Sequence, residues 1–336
     1  MHVTDPPQHV RILGTGVHRP ALVVRSDELD ARYGRPEGTS FARSGVRSRR
    51  WATPDETSSA MAASAVRSAL DAAGLDGGDL DALLVSAVVP EQPMPTTAVL
   101  TAAALGIPGG RVTAFDLNAS CVGFVVGLDL AAAAITAGRW RRVAVVATEV
   151  ASKGLNHDDV ECSALFGDGA AAVVVGRAEP EDGSALLASA TTMWPEAAAA
   201  CRIDAGGTRF NVVTPPADPT AYLFRMDGLA LLRQVARHLP RFLDDVEARS
   251  GVARDEVDVV VPHQASAVGL RYLRERVGVK PDAVVDILED HGNQVSASMP
   301  TALHHAISTG ALRRGGTALL LGTGAGLALS ATVLRY

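Results

Sequence analysis

Four short stretches carry groups fit for covalent chemistry. The first is Cys121, in AFDLNASCVGF, where a β-like run (Val112 to Leu117) hands over to an apolar helical run from Val122. A thiol at a helix N-terminus feels the positive end of the dipole, which lowers its pKa and raises its thiolate fraction. The second is His263, in DVVVPHQAS, released into a loop as an apolar strand ends at Pro262. Ligands of α/β folds gather at the carboxyl ends of strands. The third is Asn293, in EDHGNQVSASMP, after another strand-like run. The fourth is the pair Gly324 and Gly326 in LLLGTGAGLAL, a turn that lets backbone N–H groups approach a substrate. It is no phosphate cradle, because the Gly-Lys-Ser/Thr ending is missing. Each stretch alone also has a plain reading. A free Cys is often just buried, Gly-Asn is a common turn, and a Gly turn between strands is a hairpin.

The surrounding elements must bring these stretches together. Strand-like runs span Val10–Leu13, Ala82–Val89, Arg111–Leu117, Arg142–Thr148, Ala170–Val175, Leu186–Met193, Val257–Val261, Val284–Leu288, Thr317–Leu321 and Leu327–Leu334. Helical runs span Thr57–Ala73, Thr97–Leu105, Val122–Ala137, Gly228–Arg249, Ala267–Arg276 and Pro300–Thr309, the last with Pro as its first residue. Thr57 or Ser58 caps the first helix, and Gly74 stops it. Strands alternating with helices argue for a layered α/β protein. FGDGAAAVVV at 166–175 and GTGAGLALSATVL at 322–334 each close a half, which suggests an internal duplication. Residues 202–221, polar and rich in Gly and Pro, read as a loop.

Composition removes several classes. The 336 residues are 47% hydrophobic, enough for one or two cores and incompatible with a disordered chain. A net charge of −6 leaves no general basic footprint for nucleic acid. Three cysteines, Cys121, Cys162 and Cys201, make no disulfide framework and point to a reducing compartment. No apolar run reaches the ~20 residues of a membrane span. The N-terminal MHVTDPPQHV lacks the charged stretch and apolar core of a signal peptide. A soluble cytoplasmic enzyme is expected. No metal is expected: Cys162 and Cys201 lack nearby Cys or His partners, and His304 and His305 are adjacent inside a helix. His2, His9, His18, His157 and His238 read as surface or loop residues. G-x-S-x-G is absent, which disfavours a serine hydrolase.

Taken together, these stretches resemble the β-ketoacyl carrier-protein synthase III family of the thiolase superfamily. SGVRSRR at 44–50 looks like T-G-I-R-x-R-R, and residues 115–124 like the nucleophile segment F-D-x-x-A-A-C-x-G-F. FGDGAAAVV at 166–174 and MDG at 226–228 match two glycine signatures. PHQAS at 262–266 resembles P-H-Q-A-N, GNQVSASMP at 292–300 resembles G-N-T-S-A-A-S-I-P, and GTGAGLALSATVLRY looks like the last hairpin. The resemblance implies a duplicated five-layered α-β-α-β-α fold with halves 1–176 and 177–336. It implies Cys121 as acyl-carrying nucleophile, and His263 and Asn293 as donors to an enolate. The Cys121 N–H and a backbone N–H of the turn holding Gly324 and Gly326 would form an oxyanion hole. Met94, Ser266 and Arg43 would meet the substrate, and Glu91 to Thr97 would lie near a homodimer partner's acyl tunnel. The substrates would be acyl carrier protein or CoA thioesters, with no cofactor and no metal.

The chain also departs from the family's pattern. Ser266 replaces the Asn of P-H-Q-A-N, Thr39 falls where a Trp stacks on the CoA adenine, and Val160 and Val268 fall where Arg residues stand. A kept catalytic set with a changed entrance suggests a relative recruited to specialised metabolism. The leading reading is decarboxylative Claisen condensation. The runner-up is acyl transfer from Cys121 to a hydroxyl or amine, and a related option condenses two acyl chains without decarboxylation. The intact Cys-His-Asn set argues against a catalytically silent subunit. The dipole argument also makes Cys121 the thiol that iodoacetamide alkylates fastest at neutral pH. Incubation with acyl thioesters should place the acyl label on Cys121 by peptide mapping; a label on Cys162 or Cys201 contradicts the assignment.

Overall fold

The computed structural model describes residues 4–336, so His2 lies outside the described residues. A five-stranded sheet is built from β1 (Val10–His18), β2 (Ala82–Ser86), β3 (Thr113–Leu117), β4 (Arg142–Glu149) and β5 (Gly169–Arg177), in the spatial order β1-β5-β4-β2-β3. A four-stranded sheet contains β6 (Ala185–Met193), β7 (Val259–Pro262), β8 (Thr317–Gly324) and β9 (Ala328–Arg335), in the order β7-β8-β9-β6.

The two sheets share one topology. In the first, β1 and β4 flank β5 antiparallel, and β2 lies parallel between β4 and β3. In the second, β6 and β8 flank β9 antiparallel, and β7 lies parallel to β8. The place of β3 is taken in the second sheet by Val284, which makes one parallel bridge to Val260. The strand expected at Val284–Leu288 is therefore reduced to that bridge. The chain turns into a short helix at Leu288–His291 before a ladder can grow.

Helices fill the layers. α1 (Ser58–Ala73) and α2 (Thr97–Ala104) cover one outer face. α3 (Gly123–Thr136) and α6 (Ser298–Ser308) lie between the sheets. α4 (Gly228–Ser250) and α5 (Ala267–Arg276) cover the other outer face. Successive strand residues point to opposite faces. Leu83 and Val85 thus meet α1, while Leu84 meets the central helices. Leu320 faces those same helices from the second sheet, and Leu319 and Leu321 face α4. Sheets covered on both faces explain the near-continuous apolar strands. This is the five-layered α-β-α-β-α arrangement that the resemblance implies.

Local signals act as expected at several ends. The Thr57 side chain accepts from Ala60 N at 3.3 Å, and Gly74 closes α1 at φ 66°. The helix expected from Pro300 instead starts at Ser298, with Pro300 third. The first turn leaves its N–H groups without intrahelical partners, so a proline costs nothing there. His18 ends β1 and meets Glu56 at 3.1 Å, and His238 lies inside α4 stacked on Trp194, so neither is a simple surface or loop residue.

Glycine is required where β1 crosses α1. A Cβ at Gly16 would stand 2.3 Å from Ala65 O and 2.5 Å from Ala69 N. Both are backbone atoms of a helix and cannot give way. Gly16→Ala should lower unfolding free energy by about 3 kcal/mol in denaturant titration, the upper range for overpacking. Gly109, whose added Cβ meets nothing within 4 Å, is the control, and its Ala variant should stay within about 0.5 kcal/mol.

Candidate active site

Cys121 sits in the turn from β3 to α3. Ser120 before it has φ 52°, and β-branched Val295 beyond Asn293 has φ 53°. Such conformations cost of order 1–3 kcal/mol each and cluster at functional sites. The turn is held by Asn118, whose Oδ1 accepts from Ser120 N at 3.0 Å and whose Nδ2 donates to Val88 O at 3.0 Å. Gly123 lets the helix start press onto Ser86, whose Oγ would lie 2.1 Å from a Cβ there.

Asn293 occupies the corresponding place in the second sheet, between the Val284 bridge and α6. Its backbone is clasped by the 165–167 segment: Asn293 N donates to Leu165 O at 2.9 Å, and Gly167 N donates to Asn293 O at 3.0 Å. That segment is anchored by Arg49, which is completely buried and donates to Ala164 O at 2.5 Å. The Asn293 amide is oriented by its neighbours. Oδ1 accepts from Val295 N at 2.8 Å, and Nδ2 donates to Ala265 O at 3.2 Å. An amide nitrogen carries two hydrogens, so one N–H remains for a ligand.

His263 follows β7, and its N–H donates to Leu321 O of β8 at 2.8 Å. Gln264 braces the loop, donating to Pro262 O and Val285 O, both at 3.1 Å, and accepting from Ile287 N at 3.0 Å. Ala265 O, two residues past His263, receives the Asn293 amide. From Leu321, three more residues of β8 reach Gly324, where a Cβ would stand 3.5 Å from Cys121 N. Strand ends from both sheets thereby bring Cys121, His263, Asn293 and Gly324 into one neighbourhood. Gly326 lies further along the turn at φ 135°, where a Cβ would meet only Ala328 N at 3.7 Å.

The electrostatics of the site reverse one expectation. Cys121 is half-buried, but the atoms packed around its sulfur push the thiol well above its ordinary value, with Cys201 and Glu149 adding to the effect. Desolvation is the largest cause of this rise. The fast alkylation expected of a resting thiolate therefore does not follow. Burial pushes His263 down to about 4, and its Nδ1 has no partner. At neutral pH the resting site holds a neutral thiol and a neutral imidazole. Glu149, at the end of β4, is also buried, which pushes its carboxyl up to about 8.

A cavity of about 700 Å³ leads to His263. Leu229, Leu232 and Val235 of α4 give it an apolar wall, and Arg43, Ser266 and Glu161 are among its polar lining. The Ser266 hydroxyl is engaged as the cap of α5, accepting from Gly269 N at 3.1 Å. Met94 is outside this lining, 82% exposed on the loop before α2. Among the described residues, no cluster of three or more His, Cys, Asp or Glu is arranged to hold a metal ion, and no helix is long and apolar enough to cross a membrane.

Comparison with known proteins bears on this geometry. Residues 115–193 match the family model for 3-oxoacyl-[acyl-carrier-protein] synthase III, and residues 248–336 match the model of its C-terminal part. The chain is 33% identical to a β-ketoacyl-[acyl-carrier-protein] synthase III of Neisseria meningitidis serogroup C, over 98% of the chain and 100% of the relative. It is 35% identical to the mycobacterial β-ketoacyl-[acyl-carrier-protein] synthase III of Mycobacterium marinum, over 97% and 95%. The chain belongs to the synthase III family. The crystal structure of the priming β-ketosynthase from the R1128 polyketide pathway superposes with a TM-score of 0.88 at 32% identity, covering 100% of this chain and 98% of that one.

This synthase III is a condensing acyltransferase with a thiolase fold. Thr39, Val160, Ser266 and Val268, the positions where it departs from the family's pattern, all line the same cavity. Sequence reading missed Glu149, Ser296, Gln264 and Arg49, which lie outside the cavity lining and brace the loops around it. Arg49 was present in the SGVRSRR match, and Gln264 in PHQAS, but nothing in either string tells a strut from a surface group.

Glu149 makes a testable stability term. The folded protein keeps a proton on this carboxyl up to about pH 8, whereas the unfolded chain releases it near the ordinary value of 4.5. The unfolded state therefore binds fewer protons between these limits, and the group costs stability as pH rises through them. Glu149→Gln should match the parent below pH 4.5 and gain on it steadily toward pH 8. Thermal unfolding across this range measures it; a constant difference would contradict the burial argument.

Proposed function

We propose that Cys121 carries the acyl group and that His263 and Asn293 stabilise the enolate of a decarboxylating malonyl thioester. The observation that carries this reading is the wiring of Asn293. Its amide is fixed by Val295 N and Ala265 O, leaving one N–H beside the His263 loop. In loading, the Cys121 sulfur attacks the donor thioester as its proton passes to His263 and on to the departing thiolate. The malonyl carboxylate then leaves as CO2, and its bonding electrons become the enolate. Neutral donors suit that oxyanion, and burial keeps His263 neutral. The enolate carbon attacks the acyl carbonyl, whose oxygen is held by the Cys121 N–H and a backbone N–H of the turn containing Gly324 and Gly326. Collapse expels the Cys121 thiolate, which takes up a proton from solvent to restore the resting thiol, and releases a β-ketoacyl thioester. Loss of CO2 supplies the carbanion, so the chemistry needs no cofactor.

The apolar cavity suits a pantetheine arm, with Arg43 and Ser266 along its path. Exposed Arg233, Arg237 and Arg241 recur every fourth residue on α4, the helix that walls the cavity, and make no ion pair among the described residues. Such a stripe favours an acidic carrier protein as thioester donor. The altered lining supports a role in specialised metabolism in a cytoplasmic enzyme. The open edge of β3, only partly buried along Ala114–Leu117, supports pairing with a second copy, which would set the exposed Met94 near the partner's tunnel. We read residues 1–176 as the nucleophile half and 177–336 as the half that carries His263 and Asn293.

Single-turnover kinetics on Asn293→Ala test the assignment. The variant should load acyl groups on Cys121 at the parental rate and lose condensation by ~10²–10³, the usual effect of removing one oxyanion donor. His263→Ala should weaken both steps. Parental product formation by Asn293→Ala would reject the enolate role and favour transfer to a hydroxyl or amine, with His263 as the base.

A further inference from the structure

Glu149 is a buried carboxyl that the steps above do not use. It lies outside the cavity lining, so it touches no substrate there. Its Oε1 accepts from Ser296 Oγ at 2.5 Å, and its two oxygens accept from Val88 N at 3.1 and 3.3 Å. Ser296 stands three residues past Asn293, next to Val295 in its φ 53° conformation. Val88 continues the path in the other direction. Its carbonyl accepts from Asn118 Nδ2, and Asn118 Oδ1 accepts from Ser120 N, both at 3.0 Å. Ser120 is bonded to Cys121. One connected set of hydrogen bonds therefore runs from the Asn293 loop through Glu149 to the nucleophile's turn.

The duplication explains why the link falls there. Glu149 ends β4 as Gly324 ends β8, the corresponding strand of the other sheet. Gly324 closes against the Cys121 turn. Glu149 closes against the Asn293 loop, and by way of Val88 it reaches the first turn as well.

We infer that Glu149 is a positioning residue for condensation, setting the Asn293 loop against the Cys121 turn through Ser296 and Val88. The inference rests on the role proposed above for Asn293. Misplacing a donor by about 1 Å is enough to cost ~10²-fold in rate. A neutral amide of the same shape keeps the function, since its oxygen still accepts from Val88 N and its NH2 donates to Ser296 Oγ.

Three variants, with Asn293→Ala as reference, separate the possibilities by single-turnover loading and condensation. Ser296→Ala cuts only the Asn293 side: it should load normally and condense about tenfold more slowly, within the limit for a misplaced donor. Glu149→Leu cuts both sides and should slow both steps. Glu149→Gln should stay within about twofold of the parent in both, a rescue that a role for the carboxylate charge would not allow. Parental condensation by Ser296→Ala, equal losses in its two steps, or failure of Glu149→Gln would each overturn the inference, and these two variants decide it even where Glu149→Leu does not fold. If Asn293→Ala itself condenses normally, the enolate assignment fails instead.

Discussion

A guanidinium with no access to water needs its donors answered by oxygen atoms; Arg49 finds acceptors in four directions for its two terminal nitrogens, while its Nε is left without a partner among the described residues. It donates to Val24 O and Val46 O at 3.4 Å, Ser26 Oγ at 3.0 Å and Ala164 O at 2.5 Å. Burial pushes it down to about 10, which still leaves it charged at neutral pH. A buried charge left with fewer partners is costly, so the geometry around it is held tightly. The acceptors come from Val24 and Ser26 around the end of the Leu22–Arg25 strand, from Val46 just before the Ser48–Trp51 strand that pairs with it, and from Ala164 beside the segment that clasps Asn293. Gly167 and Gly292 let this clasp close, because a Cβ on Gly167 would stand 2.3 Å from His291 O and one on Gly292 2.6 Å from Leu165 O. Trp51 adds a second tie, donating from Nε1 to Phe166 O at 3.3 Å. The position of Asn293, the enolate donor proposed above, thus depends on a cation outside the cavity lining.

The site itself is arranged around neutrality. Burial raises the thiol and lowers the imidazole, so neither charge of a resting ion pair is stable. In the mechanism proposed above, the proton leaves sulfur only as charge develops on a thioester oxygen, where fixed backbone donors would receive it. Glu149 fits the same pattern, its proton retained by burial beside a thiol that a carboxylate would oppose.

Much of this was legible in the residues. The strand-to-loop endings at Cys121 and His263 were readable because apolar β runs stop abruptly beside polar turns. The duplication was visible in FGDGAAAVVV and GTGAGLALSATVL, and the shared sheet topology gives it physical form. Two local readings failed for local reasons. Val284–Leu288 has strand composition, but the helix at Leu288 leaves it one bridge. Pro300 is tolerated anywhere in a first turn, so it marks a helix start only to within a few residues. The thiol's pKa could not be read from Cys121 and its helix, because desolvation is set by atoms distant in sequence. Glu149 is hidden in RVAVVATEV as an unremarkable last residue of a strand. Its partner Ser296 is 147 residues away.

The weakness of His263 as a base has a consequence for time. In the mechanism proposed above, the acyl group waits on the Cys121 sulfur between the departure of one thiol and the arrival of the next thioester. Water is the competitor throughout that interval, and a histidine of ordinary basicity beside a thioester would help it. A conjugate acid near 4 draws poorly on a water proton. On the mechanism proposed above, the burial that denies Cys121 a standing thiolate and His263 its basicity would also protect the acyl group on sulfur, trading speed of loading for the lifetime of the stored group.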